Sequence, residues 1–421
     1  MTAHTVDITG IDESLSNPGT AGAYAPGACR ERLPEFRALL ATSAPPLAND
    51  LLTIATAIHH AASNVPRPVD GERPRISWPA IAVREPGFWQ ECAADIACLA
   101  YLGTGHRVQP SFELLVNSIQ DAPEAGTPAT SQFDCVSLHS DGLSSAAGAA
   151  MLLGAGGFPL FLTYRVGEHE IHPATARRRV SERDALLWTE GGVRVAGQPL
   201  VYLSLSIVAA SCLGVREVLV PHSGVLAIGL PPATPYLWPG LVSCSHPAML
   251  NMLEQLCQRA DLTCTLRNPF IYQTPVEVVE TMLKPGLCRG AVLRSGCLWT
   301  PREETRRCGG CPGCLHHRLA VRGAGLPDQE YRMDVLERPL GHAGTQAFRN
   351  LIGLLTHVAG FLRRDDAELI RLHPELLSLP SMSVHLPRAL AMYRRHAQEV
   401  RRVVRSDFPQ TAAMLELSPV N

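Results

Sequence analysis

Four of the thirteen cysteines in this 421-residue chain, Cys297, Cys308, Cys311 and Cys314, fall in the order Cys-x10-Cys-Gly-Gly-Cys-Pro-Gly-Cys. Two overlapping Cys-x-x-Cys pairs bring three thiolates within reach of one ion. Gly309, Gly310 and Gly313 permit the tight turns that aim backbone N–H groups at sulfur. A fourth thiolate closes a tetrahedron with no open position, which is the chemistry of a structural zinc site. Cys288, nine residues before Cys297, competes for the place of first ligand and ranks behind it. Free or disulfide-paired thiols are the alternative, disfavoured by the spacing. The other nine cysteines stand singly in apolar stretches and read as small buried hydrophobes.

A second group with chemical potential is His139-Ser140-Asp141-Gly142-Leu143-Ser144-Ser145, between an apolar run and an Ala-rich one. Small residues there let a backbone approach phosphate, and a helix N-terminus supplies N–H donors and a positive dipole end. A Ser/Asp/Ser helix cap accounts for the same residues without any ligand. His246, ahead of Pro247 in a Ser/Cys-rich turn, reads first as a satisfied loop histidine and second as a pocket residue.

Those groups need a frame, and the periodicity supplies one. Helical spacing marks Ala48–His60 and Phe88–Leu102, with a strand near Ile76–Val83 between them. Residues 118–131, rich in Pro, Gly, Ser and Thr, read as a boundary. Beyond it strands alternate with helices: Phe133–Leu138, Pro159–Tyr164, Glu217–Val220 and Thr263–Leu266, with helices at Ser145–Leu153, Tyr202–Leu213, Met249–Arg259 and Val276–Leu283. Repeated units of this kind predict an α/β fold with a doubly wound parallel sheet. The loop 139–145 then lies at a strand's carboxyl end, where such sheets bind ligands. Past the cysteines, apolar stripes at Phe348, Leu351, Leu355 and Leu362, and at Leu390, Tyr393, Ala397, Val400 and Val404, predict amphipathic helices. The expected organisation is a partly irregular N-terminus (1–45), an accessory α/β domain (46–125), a nucleotide-binding domain (130–285), a zinc lobe (286–335) and a helical region (336–421).

Taken in order, these segments resemble the QueC family, the 7-cyano-7-deazaguanine synthases. Cys135 to Leu153 resembles its Ser-Gly-Gly-x-Asp-Ser loop, and Cys297…Cys308-Gly-Gly-Cys311-Pro-Gly-Cys314 with His317-Arg318 resembles its zinc motif and trailing basic residue. The likeness is greater to the longer QueC-like proteins of bacterial anti-phage defence operons, QatC and the CBASS type, whose extra N-terminal domain Trp89 to Phe112 resembles. Val220-Pro221-His222-Ser223-Gly224, Ser243-Cys244-Ser245-His246-Pro247 and Asn268-Pro269-Phe270…Thr274-Pro275 look like further blocks of that group.

The resemblance implies a PP-loop ATP pyrophosphatase (HUP-type) domain with ATP, Mg2+ and a structural zinc held by four cysteines. Ser140, Asp141, Gly142, Leu143, Ser144 and Ser145 would hold phosphate, with Asp141 and Ser144 in the catalytic positions. Activity would consist of activating a 7-carboxy-7-deazaguanine as an acyl-adenylate and passing it to ammonia or to the N-terminus of a defence-operon partner protein. A homodimer is compatible with it. The departures are Asp141 in place of a glycine, Ser144 in place of the loop Asp, His222-Ser223-Gly224 in place of Glu-Asn-Gly, and Thr274-Pro275 in place of Thr-Lys. They make a catalytically weakened binding protein the second expectation and a PP-loop tRNA-modifying enzyme the third.

Composition narrows the rest. With Lys+Arg 37 against Asp+Glu 39 and a formal charge of −2, bulk charge gives no support to nucleic-acid binding. The chain has a single lysine, Lys284, so no P-loop lysine is at hand. No apolar run approaches a membrane span and no signal peptide is evident, which predicts a cytoplasmic protein. Two arginine groups, Arg177, Arg178, Arg179 and Arg183, and Arg388, Arg394, Arg395, Arg401, Arg402 and Arg405, read first as solvated helix faces and second as docking sites for an acidic partner surface or RNA phosphates.

Overall fold

A computed structural model describes residues 5–6, 8–9, 30–31, 44–63, 75–76, 80–115, 133–139, 142–165, 187–188, 198–230, 243–283 and 306–417. Its strands in chain order are β1 (Thr5–Val6), β2 (Ile8–Thr9), β3 (Arg30–Glu31), β4 (Arg75–Ile76), β5 (Ile81–Val83), β6 (Arg107–Val108) and β7 (Phe112–Leu114). They continue with β8 (Cys135–His139), β9 (Pro159–Arg165), β10 (Leu187–Trp188), β11 (Glu217–Leu219) and β12 (Thr265–Arg267). The helices are α1 (Pro46–Ser63), α2 (Pro86–Glu91), α3 (Ala93–Thr104), α4 (Leu143–Gly154), α5 (Gln198–Leu213), α6 (Gly224–Ile228) and α7 (Pro247–Arg259). After them come α8 (Pro275–Leu283), α9 (Pro312–Gly323), α10 (Gln346–Arg363), α11 (Asp366–Leu372), α12 (Met382–Asp407) and α13 (Pro409–Leu417).

The main sheet is parallel throughout, in the order β1-β9-β8-β11-β12, with β10 paired to the far end of β9. From β8 the chain crosses to β9 on one side, then returns over β8 to β11 and onward to β12. A right-handed crossover places its helix on a face set by the direction of travel. Accordingly α4 packs with α8 and α9, while α5 and α7 pack with α1 and α3. The chain is therefore α/β with a doubly wound, Rossmann-like parallel sheet, and its winding reverses between β8 and β11.

Residues 46–104 share the apolar cluster of that second layer: Leu51, Ile54, Ile58, Ile96 and Leu99 are buried with Leu203, Ile207, Leu253 and Val218. At its edge Asp50, 1% exposed, receives the backbone N–H groups of Arg84 and Glu85 and the indole N–H of Trp89. The single strand expected over Ile76–Val83 occurs as two, β4 and β5. They pair in parallel with β6 and β7. Pro110 stands between β6 and β7 and removes a ladder donor, while residues 77–79 lie outside the described residues. Helix Phe88–Leu102 likewise divides at Cys92 into α2 and α3. The N-terminus, read as partly irregular, contributes β1 beside β9 and the antiparallel pair β2–β3.

The C-terminal helices bury a separate cluster in which Leu351, Leu355 and Phe361 of α10 meet Leu390, Tyr393, Val400 and Val404 of α12. This agrees with both predicted stripes. The arginines of α12 are exposed or half-buried, as a solvated helix face would have them, and most also bond within the protein. Arg394 donates to the carbonyls of Phe361 and Arg364 at the end of α10, and Arg402 to Gly323 O at the end of α9. Arg405 pairs with Glu416, and Arg388 lies over the Tyr272 ring at 3.8 Å. Helix C-termini leave carbonyls without partners and attract cations, which explains the placement. Arg177, Arg178, Arg179 and Arg183 lie outside the described residues. Among the described residues no helix is long and apolar enough to cross a membrane.

Candidate functional site

Two arrangements carry chemistry, a buried thiol knuckle and a polar crevice where the sheet reverses. In the knuckle Cys308, Cys311 and Cys314 are at most 4% exposed, and their sulfurs all lie within 4.8 Å of one another. Cys311 N–H points to Cys308 Sγ at 3.2 Å and Cys314 N–H to Cys311 Sγ at 3.4 Å. Cys308 and Cys314 Sγ are 3.7 Å apart. That is far beyond a disulfide, and it matches the edge of a tetrahedron with metal–sulfur bonds of about 2.3 Å. The set therefore fits a metal ion bound by three thiolates. Cys297 and its rival Cys288 lie outside the described residues.

The local sequence explains the knuckle. Cys311 caps α9, with Pro312 at its first position and Cys314 in its first turn. Gly309 has φ +80°, and a Cβ there would strike the Met333 carbonyl, so only glycine serves. Asn350 of α10 donates to Gly310 O at 2.8 Å, and Met333 N–H to Cys308 O at 2.9 Å. One turn along α9, Arg318 is 4% exposed. It forks onto Asp328 and Asp334 and sits 4.7 Å from the ring centres of both Tyr331 and Phe408. Burial opposes its charge, but the two carboxylates outweigh burial and hold its pKa above the usual arginine value. The trailing basic residue of the motif is thus a clamp joining α9, residues 328–334 and α12's end.

Of the other cysteines, Cys92, Cys135, Cys212, Cys257 and Cys264 are buried as expected, whereas Cys98 is exposed on α3. Burial pushes the Cys135 and Cys212 thiols up to about 12, which leaves neither a thiolate at neutral pH.

The crevice is assembled from the carboxyl ends of β8, β11 and β12. Gly142 caps α4 with extended backbone and no side-chain cap bond, so Leu143, Ser144 and Ser145 form the first turn. Ser140 and Asp141 lie outside the described residues. Ser144 is 8% exposed, and its Oγ accepts the Ser223 N–H at 3.1 Å, tying the β8 loop to the β11 loop. Asn268, after β12, accepts the N–H groups of His222 (3.1 Å) and Phe270 (3.0 Å) through its side-chain oxygen. His222 Nδ1 lies 2.8 Å from Ser245 Oγ and 3.1 Å from Ser243 Oγ, and the two hydroxyls are 2.8 Å apart. Gly224 meets Ile271 O and Met392 Sδ where a Cβ would stand, so the third residue of the His-Ser-Gly block is set by close approach. Ser223 Oγ and Asn268 Nδ2, both deeply buried here, have no hydrogen-bond partner among the described residues.

His246 is settled as a loop histidine. It caps α7, its Nδ1 accepting Ala248 N–H at 3.1 Å, and burial lowers its pKa to about 4. The sequence did not point to the partners of His222, because Ser243 and Ser245 are separated from it by about twenty residues. Asn268 was legible as an Asx turn, its side chain bonding the N–H two residues on.

Helix α12 braces the crevice from outside. Tyr393 OH donates to Val225 O and accepts Leu230 N–H. Tyr272 OH bonds His385 Nδ1, Arg395 donates to Tyr272 O and Glu277, and Thr274 Oγ1 donates to Glu399 Oε1 at 3.0 Å. Burial first, and then the nearby Glu277 and Glu280, push the Glu399 carboxyl up to about 7, with Thr274 and Arg395 opposing. A carboxyl whose pKa rises on folding is protonated in the folded state where it is ionised in the unfolded one. Its penalty therefore grows as pH rises from the ordinary carboxylate range towards 7. Glu399→Gln keeps an acceptor for Thr274 and removes the charge. It is expected to leave Tm unchanged near pH 4.5 and to raise it above wild type at pH 8. Equal Tm differences at both pH values in a thermal melt series would refute this.

No protein-family model matches the chain, and a comparison with curated proteins finds no match.

Proposed function

We propose that this chain is an ATP-dependent ligase of the QueC kind, with a PP-loop domain of HUP type, that activates a 7-deazaguanine carboxylate as an acyl-adenylate and passes it to an amine. The observation that supports this most is the first turn of α4 at the reversal of a parallel sheet, locked by Ser144 to the β11 loop. Phosphate groups favour that position, since N–H donors and the helix dipole converge there. The unpartnered Ser223 Oγ beside it is a buried donor suited to a phosphate oxygen. ATP supplies the adenylyl group, and Asp141 would hold Mg2+ through oxygen, the ligand that hard cation prefers. Gly142, Leu143 and Ser145 would present N–H groups, with the Ser140 and Ser145 hydroxyls adding donors.

The metal of the knuckle would be zinc, with Cys297 completing the set of four. In this role it fixes the lobe that carries α9 against α8 and α12. The acceptor would be ammonia or the N-terminus of a partner protein in an anti-phage defence operon.

A second reading, a QueC-derived binding protein without turnover, draws on Ser144. Its hydroxyl is buried and engaged with Ser223 N–H where the family has a carboxylate.

AMP release decides between them. With ATP, Mg2+, 7-carboxy-7-deazaguanine and ammonium, the full chain is expected to release AMP and pyrophosphate. Asp141→Asn should reduce that release by two orders of magnitude or more, because an amide does not hold the metal that stabilises the leaving pyrophosphate. Wild-type protein that forms no AMP under these conditions favours the binding protein.

A further inference from the structure

At the crevice the Ser223 hydroxyl and the Asn268 amide nitrogen are buried donors to which the described residues offer no acceptor. Ser223 is 1% exposed and Asn268 9%. The orientation of the Asn268 amide is fixed by its neighbours. Its oxygen accepts the N–H groups of His222 at 3.1 Å and Phe270 at 3.0 Å, and a backbone N–H can only donate. Nδ2 is therefore the end left over, and an amide nitrogen donates and never accepts. A donor kept from water and left unpaired is costly, so native proteins rarely hold one without a reason.

Their places in the sheet give that reason a direction. β11 lies between β8 and β12 in one parallel ladder, about 4.8 Å from each. The first turn of α4 follows β8, Ser223 follows β11 and Asn268 follows β12. The Ser223 N–H bond to Ser144 Oγ ties the first two together, and the His222 N–H bond to Asn268 Oδ1 ties the last two. A ligand whose phosphate sits at α4 thus meets Ser223 next and Asn268 beyond it. A cation or an ammonium group finds no lone pair at Nδ2, whereas an oxygen bearing lone pairs completes it. Residues 220–224, 243–247 and 268–271 contain no Asp, Glu, Lys or Arg, so they recognise a ligand through neutral hydrogen bonds.

We infer that Asn268 is the residue that recognises the carboxylate of the small-molecule substrate, donating from Nδ2 to one of its oxygens, with Ser223 Oγ between it and the phosphate. This rests on the acyl-adenylate reading above. In activation one carboxylate oxygen bonds to the α-phosphorus of ATP. The bond from that phosphorus to pyrophosphate breaks, and its electron pair leaves on pyrophosphate. The second carboxylate oxygen takes no part in that exchange and needs a donor throughout. It carries charge before the step and is a neutral carbonyl oxygen after it. A neutral amide suits both states, whereas an arginine or lysine would hold the free carboxylate more tightly than the activated one and so oppose activation.

Asn268→Asp tests this in the full chain. It keeps an oxygen for the His222 and Phe270 N–H groups and the same kind of turn, and it replaces the donor by a second, negative oxygen. Calorimetry reads the binding of 7-carboxy-7-deazaguanine and of 7-deazaguanine, which lacks the carboxyl group, with Mg2+ and α,β-methylene ATP present so that no pyrophosphate is released. It also reads the binding of that nucleotide alone. The variant is expected to weaken the carboxylate ligand roughly 10- to 100-fold, the worth of a hydrogen bond to a charged group, and to leave 7-deazaguanine and nucleotide within about three-fold. Asn268→Ser, which keeps an acceptor for the Phe270 N–H and adds no charge, should show the same selective loss by a smaller factor. Carboxylate binding at the wild-type level in either variant would overturn the inference and spare the activation reading. An equal loss for the two deazaguanines would also overturn it, showing that Asn268 shapes the crevice and does not read the carboxylate. Wild-type protein that binds the nucleotide but neither deazaguanine would remove the reading and the inference together.

Discussion

Cys311→Ala is expected to give a chain that retains no metal and whose C-terminal lobe no longer holds together. Wild-type protein should carry about one tightly bound zinc per chain, the stoichiometry of a closed thiolate site. Cys311 is fully buried, and its sulfur receives the N–H of Cys314 while its backbone opens α9. Removing it would take away one of the four proposed ligands and leave the remaining thiolates with nothing to neutralise them. Because metal binding in such a knuckle is itself folding free energy, the loss appears as insolubility or as early unfolding, not as a mild shift. Metal analysis together with limited proteolysis reads both effects. A wild-type chain purified without any metal would end the zinc assignment.

Arg318→Ala should be the most damaging single change away from the knuckle, by about 3 kcal/mol or more. The guanidinium is 5% exposed, and its carboxylate partners Asp328 and Asp334 are 32% and 42% exposed. The carboxylates can therefore turn towards water, which puts the cost near the lower end of the range for a broken buried pair. Loss of stacking on Tyr331 and Phe408 adds to it. Arg318→Lys should recover less than half, since an ammonium cannot fork onto two carboxylates while lying flat between two rings. Burial raises the Asp334 carboxyl, but its bond to Arg318 prevails and holds it below the usual range. A depressed carboxyl adds stability above its unfolded pKa and loses it as pH falls through the folded value. The gap between wild type and Arg318→Ala in denaturant midpoint should thus narrow as pH drops below the ordinary carboxylate range. A gap that stays constant to pH 3 would show that stacking, not charge, carries the effect.

Much of this architecture was legible because it is written in local patterns. The sheet strands and their helices follow period-two and period-3.6 runs, and α10 and α12 bury the stripes read from Phe348 to Val404. The knuckle was legible from spacing alone. Nothing local showed that the strand expected over Ile76–Val83 would occur as β4 and β5 with separate partners. The crevice was half legible. Gly142 to Ser145 could be placed at a strand end, whereas the bond from Ser223 N–H to Ser144 and the triangle on His222 join segments far apart in sequence. Long-range pairing of polar groups leaves no periodic trace. The arginines of α12 show the same limit: the stripe is solvated as its charge suggests, but the helix ends and the Tyr272 ring that it bonds at its edges come from distant segments.

The bracing of the crevice by α12 also fixes when it becomes competent during synthesis. Thr274 waits for Glu399, 125 residues later, and Val225 waits for Tyr393, 168 residues later. Closing such distant contacts is slow, because the chain between them must be ordered before they form. The parallel sheet and its loops leave the ribosome well before α12 does. A nascent chain therefore holds an unbraced crevice, with the carbonyls of Val225 and Tyr272 open to water, until the last long helix has been made. A ribosome-bound chain stalled just after residue 380 and the released chain should differ sharply in protease cleavage within 220–230 and 268–277. Any ligand that needs those loops rigid meets a finished site only once α12 has packed against them.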